Sequence, residues 1–223
     1  MFIYALMKYV ELAPDRYARA MNVLTLGNYK VSQEVLLSMV SAGERILDIG
    51  CGPGGLALMC AAKGADVTCV DSSKSMLSIF RRDLDLARRE GLKGRVRIIE
   101  CGAASVDRML DDERFDGVVI SFVLGELAHG IRLKTLELAK GLLRNGGRIY
   151  VCDELWPENR LLSALYHVLF LLFLIPNFLV TRTLVRPLKN FQADISQCGL
   201  RVVDRQDLFM GVMSVFTVVP ERE

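Results

Sequence analysis

The chain has 223 residues, of which 28 are Lys or Arg and 26 are Asp or Glu, and its net charge is +2. This length suits a single α/β domain, in which roughly 70% of the surface of the unfolded chain can be buried. The nearly balanced charges include no Lys/Arg-rich run, so the composition argues against a nucleic-acid partner.

Cysteine usage and the N-terminal sequence both bear on the compartment. The cysteines form no CxxC pair, and most lie inside apolar runs, where a thiol packs like a small hydrophobic group. Residues 1–8 contain no positive leader and no small-residue cleavage site, so no secretory signal is predicted. We therefore expect a cytoplasmic protein with reduced thiols. The six cysteines are Cys51, Cys60, Cys69, Cys101, Cys152 and Cys198.

Short apolar runs alternate with helical stretches between residues 45 and 153, a pattern typical of a doubly wound parallel sheet. The predicted strands cover residues 45–49, 66–70, 96–100, 115–121 and 148–152. Helices are predicted over about 56–63, after a cap at Ser72 or Ser73, over about 133–143, and over about 187–197. Two later strand candidates, 200–205 and 211–219, permit an antiparallel end to the sheet.

The predicted fold is therefore α/β, with a doubly wound, Rossmann-like sheet of seven strands that is mostly parallel and has a terminal antiparallel strand. We expect one domain over residues 1–223. Within it, residues 1–43 are expected to form a helical cap. An apolar helical insertion is expected over residues 158–186, between strands five and six.

A glycine-rich bend follows the first predicted strand. Gly50, Gly52 and Gly55 satisfy the GxGxxG pattern, which NAD(P) and flavin enzymes share. The context differs from a dinucleotide site, because Asp48 stands two residues before the first glycine and a Gly-Pro-Gly turn ends at Gly54. A cofactor without phosphate needs close backbone approach to an amino-acid tail and a carboxylate for its ammonium group, and these residues supply both.

Asp71 ends the second predicted strand, about 20 residues beyond the glycine bend. A carboxylate there can accept hydrogen bonds from two adjacent ribose hydroxyls in either class of nucleoside cofactor. Two structural interpretations remain open, namely a plain strand-to-helix turn for the glycines and a helix cap for Asp71. An NAD(P)-linked oxidoreductase is the remote functional alternative.

The order of motifs between residues 44 and 153 resembles that of class I S-adenosylmethionine (SAM)-dependent methyltransferases. The matching segments are 44–57, 70–77, 101–103, 115–124 and 143–151. The resemblance implies SAM as the cofactor, with Gly102 and Ala103 beside the adenine and Ser121 lining the pocket. The implied cofactor-binding residues are Asp48, Gly50, Cys51, Gly52, Gly54, Asp71, Ser72, Met76, Gly102, Ala103 and Ser121.

Two subgroups share further features with the N-terminal part of the chain. Residues 14–27 are similar to ubiquinone/menaquinone biosynthesis C-methyltransferases, and residues 4–27 resemble corrinoid protein-associated methyltransferases. After strand four the quinone enzymes usually carry Arg-Asn, whereas this chain has Leu-Gly-Glu-Leu over 124–127. The resemblance implies methylation of a small hydrophobic acceptor, either a quinone precursor or a lipid-like molecule. The alternative is a SAM-binding partner or regulator of a corrinoid protein.

Residues 161–180 form an apolar stretch long enough, at about 30 Å of helix, to span a bilayer. A single crossing would place strand five and the last two strands on opposite sides, and Pro176 is expected to break the helix. Three interpretations remain: an apolar lid or substrate wall, a peripheral contact with the inner face of the membrane, and a dimer interface.

Methyl transfer from a sulfonium mainly needs the acceptor, the methyl group and the sulfur to be in line, and water to be excluded. If the acceptor is a phenol or an acidic carbon, a general base is needed, and His129 and Glu126 are the catalytic candidates after strand four. Asp153 and Glu154 are the other ionisable groups at the ends of strands four and five. The structural alternative for His129 is an exposed loop histidine. No metal site is predicted, because no cluster has metal-ligand spacing.

Overall fold

A computed structural model describes residues 17–110, 112–156, 188 and 190–221. The predicted insertion, including the apolar stretch 161–180, lies outside the described residues, as do residues 1–16 of the predicted cap. Seven strands form one sheet in the order β3-β2-β1-β4-β5-β7-β6. The strands are β1 Arg45–Ile49, β2 Asp66–Asp71, β3 Val96–Glu100, β4 Phe115–Ser121, β5 Leu143–Glu154, β6 Leu200–Leu208 and β7 Met213–Pro220.

Helices precede the sheet and connect most of its strands. The described helices are α1 Tyr17–Leu24, α2 Asn28–Ser38, α3 Gly55–Lys63, α4 Lys74–Arg89, α5 Asp107–Leu110, α6 His129–Gly141 and α7 Phe191–Gln197. Single 3₁₀ turns follow β3 over Ala103–Ser105, β4 over Leu124–Glu126 and β6 over Phe209–Gly211. α4 begins as the sequence indicated, because the Ser73 hydroxyl caps the helix by accepting from the Met76 amide.

The predicted sheet topology is confirmed. β1 to β5 pair in parallel, whereas β7 runs antiparallel to both β5 and β6. The carboxyl ends of the five parallel strands therefore share one edge of the sheet, and β6 ends at that edge too. Ligands of open α/β sheets bind at this carboxyl edge.

Both faces of the parallel part of the sheet are covered, which explains why β1, β2 and β4 are mostly buried, whereas β6 is largely exposed. In β1, Ile46 packs with the helices on one face and the next residue, Leu47, packs with those on the other. The first core includes Leu36 of α2, and the second includes Leu136 of α6. All six cysteines are free thiols.

Several boundaries differ from the sequence-based predictions. α6 begins at His129, four residues before the predicted start, so His129 belongs to a helix and not to a loop. β5 begins at Leu143, five residues before the predicted start, because Leu143 already pairs with Phe115; the register then shifts at a bulge before Gly117 pairs with Arg148. α7 begins only at Phe191, since Leu188 pairs with Leu155 instead of entering a helix.

The junction around Leu188 fixes where the undescribed segment 157–187 leaves and rejoins the sheet. The Leu188 amide donates to the Glu154 carbonyl at 3.0 Å, and the Trp156 amide donates to the Leu188 carbonyl at 3.2 Å. Both ends therefore lie at the carboxyl edge. In the part of the chain that the structure describes, no helix is long and apolar enough to cross a membrane.

Candidate active site

The glycine bend after β1 turns the chain sharply at the carboxyl edge. Gly50, Gly52 and Gly54 have φ values of 76°, 55° and 80°, in the left-handed region that favours glycine. A Cβ at Gly50 would overlap the Val123 side chain, and one at Gly54 would overlap the Phe80 ring. At Gly52 a Cβ would meet nothing within 4 Å. The bend therefore needs glycine for packing at its two ends and exposes bare main chain at its centre.

Asp71, at the end of β2, is hydrogen-bonded to the bend. Its Oδ2 accepts from the Gly52 amide at 2.8 Å, and its Oδ1 accepts from the Ser73 amide at 2.7 Å. The cap of α4 is Ser73, so the alternative interpretation of Asp71 as the helix cap is wrong. Each carboxylate oxygen can accept a second hydrogen bond, and Asp71 lines a cavity in which such donors could sit.

Asp48, in β1, is a buried carboxylate beneath the bend. Burial, and secondarily the charge of Asp71, raises its pKa from 3.8 to about 7. No ion pair reaches Asp48 from the described residues. A buried acid without a counter-ion is expensive unless a cation joins it, so this position suits a positively charged ligand group.

Two adjoining cavities surround the bend and share Gly50, Gly52, Ser121 and Phe122 in their walls. The larger, of about 180 Å³, reaches from Asp71 to the turn after β4. The smaller, of about 40 Å³, reaches Asp48 and helix α2. Among the predicted site residues, those that line one or both cavities are Asp48, Gly50, Cys51, Gly52, Asp71, Ser72, Met76, Ala103, Ser121 and Glu126.

Two of the proposed cofactor residues do not line these cavities. Gly54 packs closely against the Phe80 ring. Gly102 precedes the 3₁₀ turn, whose first residue, Ala103, lies in the wall of the larger cavity. Ser121 does line both cavities. Its buried hydroxyl has no oxygen or nitrogen partner in the described part of the chain, and it lies beside the Cys152 thiol.

The wall also contains residues that the sequence analysis missed. Tyr29 and Gln33 of α2 line the smaller cavity beside Asp48. Burial raises the pKa of Tyr29, whose ring lies 5.8 Å from that of Phe122. Their spacing of four residues on one helix was the available signal, although nothing local pointed that helix face at the glycine bend.

The two catalytic candidates occupy different places. Glu126 ends the 3₁₀ turn after β4 and lines the larger cavity. His129 does not line it, because its Nε2 lies 3.0 Å from Asp194 Oδ1 of α7, and its side chain is 60% exposed. The same buried aspartate accepts from Arg132 Nε at 2.7 Å. His129 therefore belongs to a contact between α6 and α7.

Two hydrogen bonds from other elements hold the turn that carries Glu126. The buried Asp153 accepts from the Gly125 amide at 3.2 Å, and Arg132 donates to the Leu124 carbonyl at 3.3 Å. Asp153 and Glu154 themselves are fully buried and line neither cavity. The Asp153 carboxylate also accepts from the Glu154 amide at 2.7 Å, so it holds both the turn and the end of β5.

A broader groove of about 570 Å³ lies elsewhere, on a face of strands β5, β7 and β6. Its wall includes Met39, Arg148 and Arg201, and it contains none of the predicted site residues. Its size alone does not make it the active site, because it lacks the glycine bend, the buried acid and the strand ends that meet at the carboxyl edge.

Comparisons with known proteins identify a family for this sequence and fold. A family model described as a methyltransferase domain matches residues 46–147. The demethylmenaquinone methyltransferase of Clavibacter sepedonicus is 34% identical over 152 residues, which are 67% of this chain and 58% of that protein. The ubiquinone/menaquinone biosynthesis C-methyltransferase UbiE of Pseudomonas putida is 29% identical over 156 residues, 68% of this chain and 58% of that protein. The chain thus spans less than two thirds of these relatives.

Solved structures share the fold at low sequence identity. The CcbJ methyltransferase from Streptomyces caelestis superposes with a TM-score of 0.66 at 18% identity, covering 86% of this chain and 89% of that one. The magnesium protoporphyrin IX methyltransferase from Synechocystis PCC 6803, solved with bound SAH, gives 0.61 at 16% identity over 86% and 81%. By sequence and by fold, the chain belongs to the class I SAM-dependent methyltransferases.

Proposed function

We propose that this protein transfers the methyl group of SAM to a small apolar acceptor of the quinone-precursor type. One observation carries the SAM part of the proposal: Asp48, a buried carboxylate with no counter-ion among the described residues, adjoins bare main chain at Gly52. A ligand with an ammonium and a sulfonium, but no phosphate, matches that pair of features. A pyrophosphate would meet the negative field of Asp48.

The wall residues suit SAM at both of its ends. In this proposal Asp48 attracts the positive charge of the methionine part, while the Gly50–Gly52 main chain lies against that part. Asp71 accepts hydrogen bonds from the ribose hydroxyls with the lone pairs that Gly52 and Ser73 leave free. Ala103 and Cys101 line the wall beyond Asp71, where the adenine would lie.

When bound, SAM supplies an already activated methyl group. The chain's task is then to hold the acceptor in line with that methyl and to keep water out. Ser121, Phe122 and Leu127 line the cavity between the bend and the turn after β4. Glu126 is the proposed base for an acceptor that must lose a proton, because it is the candidate that lines this cavity.

The quinone-like acceptor is proposed from the relatives and from the apolar sequence 161–180. The names of the two relatives concern menaquinone and ubiquinone biosynthesis. The segment 157–187 departs and returns at Trp156 and Leu188, at the edge where the cavity opens. We propose that this apolar segment contributes a wall for the acceptor, and that it can also contact the inner face of a membrane.

The decisive experiment is incubation of the purified protein with SAM carrying a labelled methyl group. The acceptors are a demethylated menaquinol, phenolic lipids and thiols, and the label is followed into product. We expect labelled quinol. Transfer to another acceptor would keep the methyltransferase and discard the quinone, whereas binding of NADH without binding of SAM would end the proposal.

A second candidate is a SAM-binding partner or regulator of a corrinoid protein, from the resemblance over residues 4–27. This candidate uses the same SAM site but has little methyl-transfer turnover of its own. Tight SAM binding without transfer to any acceptor, together with copurification of a corrinoid protein, would favour this candidate over the first.

A further inference from the structure

Three large apolar side chains protrude at the carboxyl edge of the molecule, outside both cavities. Val23 of α1 is 69% exposed, Leu26 in the turn between α1 and α2 is 79% exposed, and Met210 in the turn after β6 is 83% exposed. The Phe209 amide donates to Asn28 Oδ1 at 3.2 Å, which joins the two turns. We call Val23, Leu26 and Met210 the apolar tip.

Two of these residues also hold an unfavourable backbone conformation. Leu26 and Met210 have φ values of 50° and 58°, in the left-handed region where Gly and Asn are preferred. A bulky apolar residue there costs free energy through its backbone, and its exposure adds a hydration penalty. Neither penalty is offset by packing in the described chain, so a contact that buries these side chains would recover the hydration part of it.

The charges around the apolar tip indicate what that partner is. Arg19 lies one helical turn before Val23 on α1, is exposed, and has no acidic partner among the described residues. Lys30 is joined to α1 through its amide, which donates to Asn22 Oδ1 at 2.9 Å, and its ammonium pairs only at 3.7 Å with the exposed Glu34. Apolar side chains flanked by basic ones suit the surface of an anionic bilayer.

A second copy of the chain fits this surface less well. A stable protein interface buries roughly 800 Å² on each partner and uses about 20–30 residues a side, far more than the three side chains of the apolar tip. Three protruding side chains can, in contrast, enter the interfacial region of a bilayer without a complementary surface. The active-site cavity opens at the same edge, so the bilayer would face its entrance.

We propose that the apolar tip inserts into the interfacial region of an anionic lipid bilayer, with Arg19 and Lys30 at its headgroups. This surface is independent of which acceptor is methylated. It also consists of residues separate from the apolar segment 161–180. A failed search for methyl transfer would therefore leave it standing, and its own failure would leave the SAM site intact.

The test is co-sedimentation of the full chain with vesicles of phosphatidylglycerol and phosphatidylcholine, against vesicles of phosphatidylcholine alone. The variant is Leu26→Asn with Met210→Asn, because Asn tolerates the left-handed backbone while removing apolar surface. We expect the parent to prefer the anionic vesicles and the double variant to bind them about tenfold or more weakly. Leu86→Gln is the matched control, since Leu86 is exposed near the end of α4 and far from the carboxyl edge.

Thermal unfolding and size-exclusion chromatography complete the test. An unchanged or higher unfolding temperature in the double variant supports the proposal, because the backbone strain is relieved. A clearly lower temperature overturns it, since the apolar tip would then be covered by the chain itself. A parent dimer that dissociates in the double variant also overturns it, as does equal vesicle binding by the parent and the double variant.

Discussion

The proposed cofactor half and the proposed acceptor half of the cavity are built in different ways. The cofactor half comes from two consecutive strand-turn-helix units, and its two acids, Asp48 and Asp71, are 23 positions apart in the sequence. The proposed acceptor half draws on the turn at Glu126, which lies 55 positions after Asp71 in the sequence. A cofactor common to many enzymes can thus be identified from a short local motif, whereas the acceptor depends on contacts distant in sequence.

The largest expected effect separates the packing role of Gly54 from the ligand-facing role of Gly52 in the cofactor half. Gly54→Ala should lower the free energy of unfolding by about 2–4 kcal/mol, because it combines a left-handed φ with overlap of the Phe80 ring. Gly52→Ala has the same backbone problem but open space, so a loss of about 1 kcal/mol is expected. Urea denaturation measures both.

The two glycine variants should rank in the opposite order when SAM affinity is measured by titration. Gly52→Ala places a methyl group where the cofactor would approach the main chain, and should weaken SAM binding more than its small effect on stability suggests. Equal losses of stability in the two variants would contradict the assignment of Gly54 to packing and Gly52 to the ligand.

The next effect concerns the acceptor half. Glu126→Gln should lower kcat by about a hundredfold if the carboxylate removes a proton from the acceptor, with little change in SAM affinity. His129→Gln is the comparison, and less than about a threefold change is expected, because the imidazole lies against Asp194 outside the cavity wall. A larger loss in the histidine variant would transfer the base to His129 and require a rearrangement of α6.

Asp71→Ala tests the ribose end of the cofactor half. SAM affinity should fall by about 1–3 kcal/mol, the usual effect of removing a hydrogen bond to a charged group. Asp71→Asn retains one acceptor oxygen and should lose less. Calorimetric titration with SAM and with adenosine separates the two ends, since adenosine binding should fall as well. Unchanged affinity in both titrations would remove Asp71 from the site.

The smallest expected effect is a pH dependence at Asp48. With a pKa of about 7, its carboxylate ionises between pH 6 and pH 8, and SAM affinity should rise about tenfold over that range if the cation needs the ionised form. Asp48→Asn should flatten this profile. A parent profile as flat as that of the variant would show that Asp48 does not meet the cationic part.

Stability of the ligand-free protein should change in the opposite direction. The folded-state pKa of Asp48 lies above its ordinary value of 3.8, so between about pH 4 and pH 7 the folded state holds a proton that the unfolded state has released. Stability from this group therefore falls as pH rises through that window. Asp48→Asn should remove this contribution, and chemical denaturation at a series of pH values measures it.

Much of the cofactor half could be predicted because its signals are local. Alternating apolar runs define the parallel strands, and positive φ values at Gly50, Gly52 and Gly54 correspond to glycines that the sequence displays. The reversed strand β7 also followed from two strand candidates with a short connection. These features depend on neighbours within a few residues, so periodicity and turn chemistry suffice.

The rest could not be predicted because it depends on tertiary contacts. The start of α6 at His129 goes with the contact between His129 and Asp194, which are 65 positions apart. Tyr29 and Gln33 reach the cavity only because α2 packs across the sheet. Leu188 pairs with Leu155 instead of joining the predicted helix. Helix propensities take no account of such a pairing with a residue distant in sequence.

The position of β7 has a consequence for assembly on the ribosome. Of the seven strands, this one is synthesised last, yet it lies inside the sheet between β5 and β6. Until it emerges, one side of β5 remains an unpaired strand edge, which is a site for aggregation. The strands around the glycine bend are already complete at that time. Early SAM binding to the nascent chain could therefore hold that part folded while the final strand arrives.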